Sequence, residues 1–403
     1  MSTPGLALNN LRTVVIVIVV AVHAVMAYLG SSPASSFNFD DPPYRWRSIP
    51  IVDSGRWFGF DIFCAFQDVY LISLLFFLSG LFVWPSLARN GSGMFLRDRL
   101  LRIGVPFALT VGLLMPLAHY PVFRVTAVDP SLTSFWQHWR ALPFWPAGPP
   151  WFLWVMLTFD FAAAGLYQFA PRSADPLGRS LIQSVGRLGA SQGPFVIALL
   201  SVSALAYVPL ALAFNPWDWF HAGPFSFQLC RPLHYLVYFF AGAGVGAYGI
   251  ERGLLAPNGW LVRRWAAAGG AALVSFVLWL GMVGLAMAGE GPPPLAVQIL
   301  QALSFVLCCA AGVLFMLALF LRFANRRLAV FDPLKDKAYG IYLIHYAFSI
   351  WLQYALLGLA MFAIIKAAIV FTGTLLMSWA SVAALRRIPA SAWINRSWRR
   401  WAT

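Results

Sequence analysis

Residues 11–23 read Leu-Arg-Thr-Val-Val-Ile-Val-Ile-Val-Val-Ala-Val-His, an apolar run closed by Arg12 at one end and His23 at the other. A run of this kind belongs in a bilayer, where an ionisable side chain is costly and needs a partner or a function. The chain around it has the same character. Its 403 residues are 60% hydrophobic and 16% aromatic, and only 10% are charged, well below the roughly 25% of soluble domains.

Apolar stretches of about 18 residues or more can cross a hydrocarbon core of ~30 Å. Ten lie at 13–30, 62–85, 103–120, 151–170, 195–214, 232–250, 265–288, 295–321, 338–358 and 360–385. The expected fold is therefore an all-α integral membrane protein, a bundle of about ten transmembrane helices forming one domain over residues 1–403. The region 338–385 is apolar almost throughout, with Gly358 as its one obvious turn. As a single helix it would reach about 72 Å, more than twice the core, so it must fold back once.

Charge sets the expected orientation. With the N-terminus in the cytoplasm, 21 of the 28 basic residues fall at the cytoplasmic ends of the spans, six fall in outer loops, and Lys366 lies inside the last span. That bias places both termini in the cytoplasm. It also accounts for the net charge of +14 without nucleic acid as a partner, because the basic residues are spread over every inner loop rather than gathered in a stripe. Residues 1–30 could be read as a cleaved signal peptide with a site near Ser31 to Ala34, but removing that span leaves the basic loops on no consistent side. It is retained as the first span.

The four cysteines, Cys64, Cys230, Cys308 and Cys309, show no Cys-x-x-Cys spacing, and no histidine completes a ligand cluster, so neither a disulfide framework nor a metal site is expected. No internal repeat or soluble domain is visible, and the longest inner loop, 171–194, is too short for a core. Two larger outer loops, 31–61 with Asp40, Asp41 and Asp53, and the Trp- and Pro-rich 121–150, could roof an outward-facing cavity. The plainer account of most of the 18 Trp residues is an interfacial belt.

Chemistry then falls to a few residues. Eleven residues of helix rise about 16 Å and return to nearly the same angle, so Arg12 and His23 share a face. Arg12, at the cytoplasmic boundary, can meet an anionic group or serve as a topology anchor. His23, near mid-membrane, can carry a proton or bond a neighbouring helix. Arg99 and Arg102, three apart on a helix, can grip a phosphate or contact inner-leaflet lipid. Tyr339, Tyr342 and Tyr346 form a stripe with His345 beside it, either lining a cavity or anchoring at the interface. Lys366 is expected to snorkel outward, and Asp68, Asp160 and His234 receive no role.

Five pieces in order make the chain resemble the acyltransferase-3 family of integral-membrane O-acyltransferases. They are Arg12-x10-His23, Phe-Phe-Leu-Ser-Gly at 76–80, Arg99-x-x-Arg102 running into Ile-Gly-Val-Pro at 103–106, Trp-Phe-Leu at 151–153, and Tyr-Gly-Ile-Tyr-Leu-Ile-His at 339–345. The resemblance implies ten spans in a bacterial cytoplasmic membrane and no permanently bound cofactor. It also implies a cytoplasmic acyl-CoA cosubstrate, acetyl-CoA or succinyl-CoA, whose acyl group passes to a hydroxyl of an extracytoplasmic carbohydrate. Under it His23 is catalytic and Arg99 and Arg102 contact the CoA phosphates; the helical spacing adds Arg12, about 16 Å below His23, as a further candidate to meet them. General-base catalysis and an acyl-histidine intermediate are both compatible with it. Many members carry an acidic residue where this chain has Ser73, and that role is not transferred to Asp68. Ser73 and the Arg-Ile-Gly-Val-Pro wording are similar to the branch that succinylates periplasmic glucans. The rival reading is a transporter or flippase in which His23 relays protons; the chain lacks the paired interrupted segments common in such proteins. A non-catalytic scaffold would leave the histidine unexplained.

Overall fold

The computed structural model describes residues 3–169 and 192–387, so most of the loop expected at 171–194 and the C-terminal arginines from Arg396 onward lie outside the described residues. In a bilayer the backbone must satisfy its own hydrogen bonds, which these apolar sequences do as helices. The elements are α1 (Thr3–Val25), α2 (Phe58–Gly80), α3 (Val83–Thr126), α4 (Leu132–Ala141), α5 (Trp151–Phe169) and α6 (Gln192–Ala213). A hairpin of β1 (Trp219–Ala222) and β2 (Phe225–Gln228) follows, then α7 (Pro232–Tyr248), α8 (Trp265–Met287), α9 (Leu295–Phe323), α10 (Ala338–Ala355) and α11 (Ala363–Leu385). Among the described residues the fold is all-helical apart from this hairpin. Its tight turn uses Gly223 at φ 56°, and Phe220 stacks on Phe227 across the strands at 5.0 Å.

Eight helices among the described residues are long and apolar enough to cross a membrane; α7 with the segment Gly253–Arg263, bent by 83°, makes a ninth. The expected span at 338–358 is not among them. Its helix, α10, is 18 residues long and spends much of its length on tyrosines, His345 and Gln353. The helix that holds the first expected span, 13–30, begins earlier, at Thr3. His23 therefore sits about 8 Å from the Tyr28 end of the apolar helix Pro4–Tyr28 rather than at its middle.

The segment 86–102, between the second and third expected spans, is helical and continuous with the third, as the helical placing of Arg99 and Arg102 requires. At 44 residues a straight α3 would reach about 66 Å, and Gly91, at φ 73° and ψ 164°, breaks it with a kink. Two stretches of α3, Leu100–Gly104 and Thr110–Leu114, are wound as π-helix. Prolines within α3 withhold N–H groups from carbonyls one turn back, and aromatic side chains supply the missing donors. In the first π stretch the Arg102 carbonyl accepts from the Tyr339 hydroxyl at 2.8 Å. In the π register Pro116 would serve Val111, whose carbonyl accepts from the Trp145 indole at 2.9 Å. Pro121 leaves Leu117, which accepts from the Trp351 indole at 2.9 Å. Two of these donors stand on α10, which is thereby tied to α3 at both ends.

Helices α2 and α7 approach backbone to backbone. A side-chain carbon added at Gly80, Gly242 or Gly246 would strike the main chain of the opposite helix at Phe239, Phe77 or Leu81, the small-residue packing by which membrane helices associate.

One end of the bundle carries the segments 29–57 and 127–150 and the hairpin; it is called the roof end here, and the opposite end the arginine end. The roof is packed aromatic structure. Phe39 stacks on Trp46 at 4.6 Å and meets Phe123 and Phe135 at 5.5 and 6.1 Å. Trp46 and Trp139 are fully buried here, so these two are core residues and not members of an interfacial belt.

Candidate active site

At the arginine end, Arg12 donates to the Leu78 carbonyl at 3.1 Å and stands over the Phe82 ring at 4.3 Å. The acceptor lies in the last turn of α2, where helix carbonyls have no helical partner and the dipole favours a cation. Two of the sequence motifs, Arg12-x10-His23 and Phe-Phe-Leu-Ser-Gly, thus touch. Arg99 is close enough to Arg12 for the two guanidinium groups to repel. Its Nε lies 3.4 Å from the buried carboxylate of Asp160, a charge contact without good hydrogen-bond alignment, and its guanidinium stands over Phe95 at 4.9 Å. Arg102 bonds Asp98 at 3.1 Å, one helical turn away. An anion arriving here finds three guanidinium groups and two carboxylates, one of them without hydrogen-bonded partners in Asp160.

The α1 helix runs unbroken from Arg12 toward the roof. Near its end, the His23 ring faces the His345 ring with centroids 5.3 Å apart and planes at 44°. It meets Tyr346 edge-on at 5.1 Å. Gln353 donates to the His23 carbonyl at 2.7 Å, fixing α1 to α10 beside the imidazole. His345 is fully buried, and its Nδ1 lies 2.6 Å from the Tyr342 carbonyl. His23 Nδ1 and His345 Nε2 are both buried without a hydrogen-bond partner. A third histidine, His119, lies tilted beside Tyr346 at 5.7 Å and edge-on to Trp46 at 5.3 Å, connecting the roof to the histidine pair.

The tyrosine stripe splits in two. The hydroxyls of Tyr339 and Tyr342 donate to the carbonyls of Arg102 and Pro149, at 2.8 and 2.6 Å, so both hold neighbouring segments in place. Tyr346 alone of the stripe touches the His23 ring.

The remaining ionisable residues are paired. Lys366 does not snorkel: it is fully buried and bonds both carboxylate oxygens of Asp53 at 2.7 and 2.9 Å. It lies in the first turn of α11 with the 29–57 segment folded across it, so the nearest counter-charge is inside the protein. Arg231 grips Asp68 through two bonds of 2.6 and 2.9 Å. His234 contacts the Cys309 thiol at 3.4 Å. A lysine within a span calls for a carboxylate, and the three acidic residues of the first roof segment were its candidates; His119 left no comparable sign in the sequence. Among the described residues no three metal-ligating side chains are gathered.

On the roof surface, Arg47 donates to His221 Nε2 and stands over Phe144 at 4.5 Å. Burial pushes the Arg47 pKa down to about 10. Burial, helped by the Arg47 charge, pushes His221 down to about 4.

Eight or nine helices long and apolar enough to cross a membrane, with a buried imidazole pair and a cluster of arginines along one of them, define a multi-pass helical membrane protein. A family model described as an acyltransferase domain matches residues 6–383, nearly the whole chain, and the protein belongs to the acyltransferase-3 family of membrane acyltransferases. It is an enzyme, and the transporter reading is set aside. No curated protein and no solved structure matches it.

Proposed function

We propose that the protein moves an acetyl or succinyl group from cytoplasmic acyl-CoA to a hydroxyl of a carbohydrate outside a bacterial cytoplasmic membrane. In this reading the chain crosses ten times as one domain. The arginine end faces the cytoplasm, as the distribution of basic residues favours, and the roof faces out. The observation that carries the reading is a single unbroken helix, α1, with Arg12 beside Arg99 at one point and His23 beside His345 about 16 Å further on.

The arginines hold the phosphates of the donor, which compete with Asp98 and Asp160 for the guanidinium groups. The donor's extended arm follows α1 so that its thioester stands beside His23. The acceptor hydroxyl attacks the thioester carbonyl while His23 takes its proton. The C–O bond forms, the C–S bond breaks, and the proton passes from His23 to the departing sulfur, so the reaction releases CoA thiol and no net proton. Because His23 lies toward the roof end, an acceptor need penetrate only a short way.

Labelled acetyl-CoA and succinyl-CoA, offered to the purified chain with and without Arg99 and Arg102 replaced together by Gln, test the donor site. Donor binding should weaken at least tenfold in the double variant; unchanged binding would remove these arginines from it.

A further inference from the structure

The identity of the proton on His23, and what holds the ring in place, can be read from its neighbour. The Tyr342 carbonyl can only accept, so the bond at 2.6 Å requires the proton of neutral His345 to sit on Nδ1. His345 Nε2 is then a bare lone pair. It is buried with no partner, as is Nδ1 of His23, and the two rings face each other 5.3 Å apart. Buried polar atoms left unpaired are rare and costly. The two atoms are not hydrogen-bonded as the rings stand, and a small reorientation that forms one N–H···N bond would satisfy both at once.

Resting on the proposed acyl-transfer role of His23, we infer that His345 is a positioning residue whose Nε2 accepts a hydrogen bond from His23 Nδ1–H, fixing the tautomer in which His23 Nε2 is the base. The chain of bonds runs Tyr342 C=O, His345 Nδ1–H, His345 Nε2, His23 Nδ1–H. It ends at the lone pair that takes the acceptor hydroxyl proton. His345 holds the other imidazole as a carboxylate does in hydrolytic triads, but without charge, which suits a site where a buried anion would itself need a partner. Tyr346 packs on the edge of His23 and limits its rotation. The backbone of both partners is fixed independently: Gln353 bonds the carbonyls of His23 and Ala24 at 2.7 and 3.2 Å.

The bond predicts different outcomes for two substitutions at one position. A Gln side chain places its amide near the site of Nε2, so His345→Gln keeps an acceptor facing His23. An Asn amide reaches only to the site of Nδ1, so His345→Asn keeps the tie to Tyr342 and loses the acceptor. A role in packing or in anchoring the backbone would favour Asn at least as much as Gln.

The test uses the full chain, ¹⁵N-histidine labelled and reconstituted in lipid vesicles, with the His23 signals assigned by their loss in His23→Phe. In the wild type His23 should be the Nδ1–H tautomer, and it should remain so in His345→Gln and become mixed in His345→Asn. Thioester loss from labelled acetyl-CoA or succinyl-CoA should follow, with kcat falling about 100-fold in His345→Asn and donor KM unchanged. A wild-type His23 protonated on Nε2, or a His23 tautomer identical in wild type and His345→Asn, overturns the inference; the wild-type spectrum decides even if a variant fails to fold. If His23 shows the expected tautomer but His23→Ala still consumes the donor at the wild-type rate, the hydrogen bond stands and the acyl-transfer role of His23 fails instead.

Discussion

Replacing Lys366 by Met removes the cation from the most completely buried ion pair of the molecule's described residues. Asp53 and Lys366 have fully buried side chains, and the carboxylate takes two bonds from the ammonium at 2.7 and 2.9 Å. Without the lysine, Asp53 keeps only the Gly55 backbone N–H at 2.7 Å and must remain as a buried, largely uncompensated anion or take up a proton. Breaking such a pair from one side costs about 3–5 kcal/mol, whereas replacing both partners with neutral groups of similar volume is close to neutral. Lys366→Met should therefore destabilise the chain by about 3–5 kcal/mol, Asp53→Asn by a comparable amount, and the double variant by far less than their sum. Reversible unfolding in mixed micelles, read as the free energy for all four members of the cycle, measures this. Single variants within about 0.5 kcal/mol of wild type, the scatter expected of independent surface sites, would refute the reasoning. The pair matters to the site because Asp53 also bonds the Ala27 carbonyl through its backbone at 3.0 Å, joining the roof, α11 and the α1 end that carries His23.

Two further predictions address other parts of the structure. Gly242→Ala places a methyl group against the α2 backbone at Phe77 and should cost about 1–3 kcal/mol as overpacking, whereas Gly270→Ala, in open space, should be neutral in the same unfolding measurement. His221, held neutral in the fold down to about pH 4 by burial and by Arg47, favours folding fully above the ordinary histidine value near 6.5. This contribution is lost as pH falls from there toward 4. Protease nicking of residues 214–231 should therefore rise across that window in the wild type and stay flat in His221→Gln; equal pH dependence in both would be the contrary result.

The parts of this architecture that are legible in sequence are those whose cause is local. Apolar length places helices over the expected stretches, and the eleven-residue spacing puts Arg12 and His23 on one face because α1 is unbroken between them. The rest depends on partners distant along the chain. His345 is 322 residues from His23, and no periodicity relates them; their meeting is set by α10 packing on α1. The helix of Lys366 offers it no anion, and its counter-charge, Asp53, arrives from a loop over 300 residues earlier. Apolar length alone stops the second span at 85 and starts the third at 103, because charges and Gly91 break the pattern between them, yet charged residues continue a helix well where it leaves the hydrocarbon. The prolines of α3 leave carbonyls open, and the aromatic donors from α10 and the roof that complete them come from distant parts of the chain.

The central claim is that His23 is the base that moves an acyl group. Sealed membrane vesicles carrying the wild-type chain or His23→Ala, given labelled acetyl-CoA and succinyl-CoA on the face bearing Arg12 and Arg99, measure it directly. Label should leave the thioester and appear in carbohydrate on the opposite face with the wild type, and the rate should fall at least 100-fold in a folded, inserted His23→Ala chain. Transfer by that variant at the wild-type rate would contradict the account.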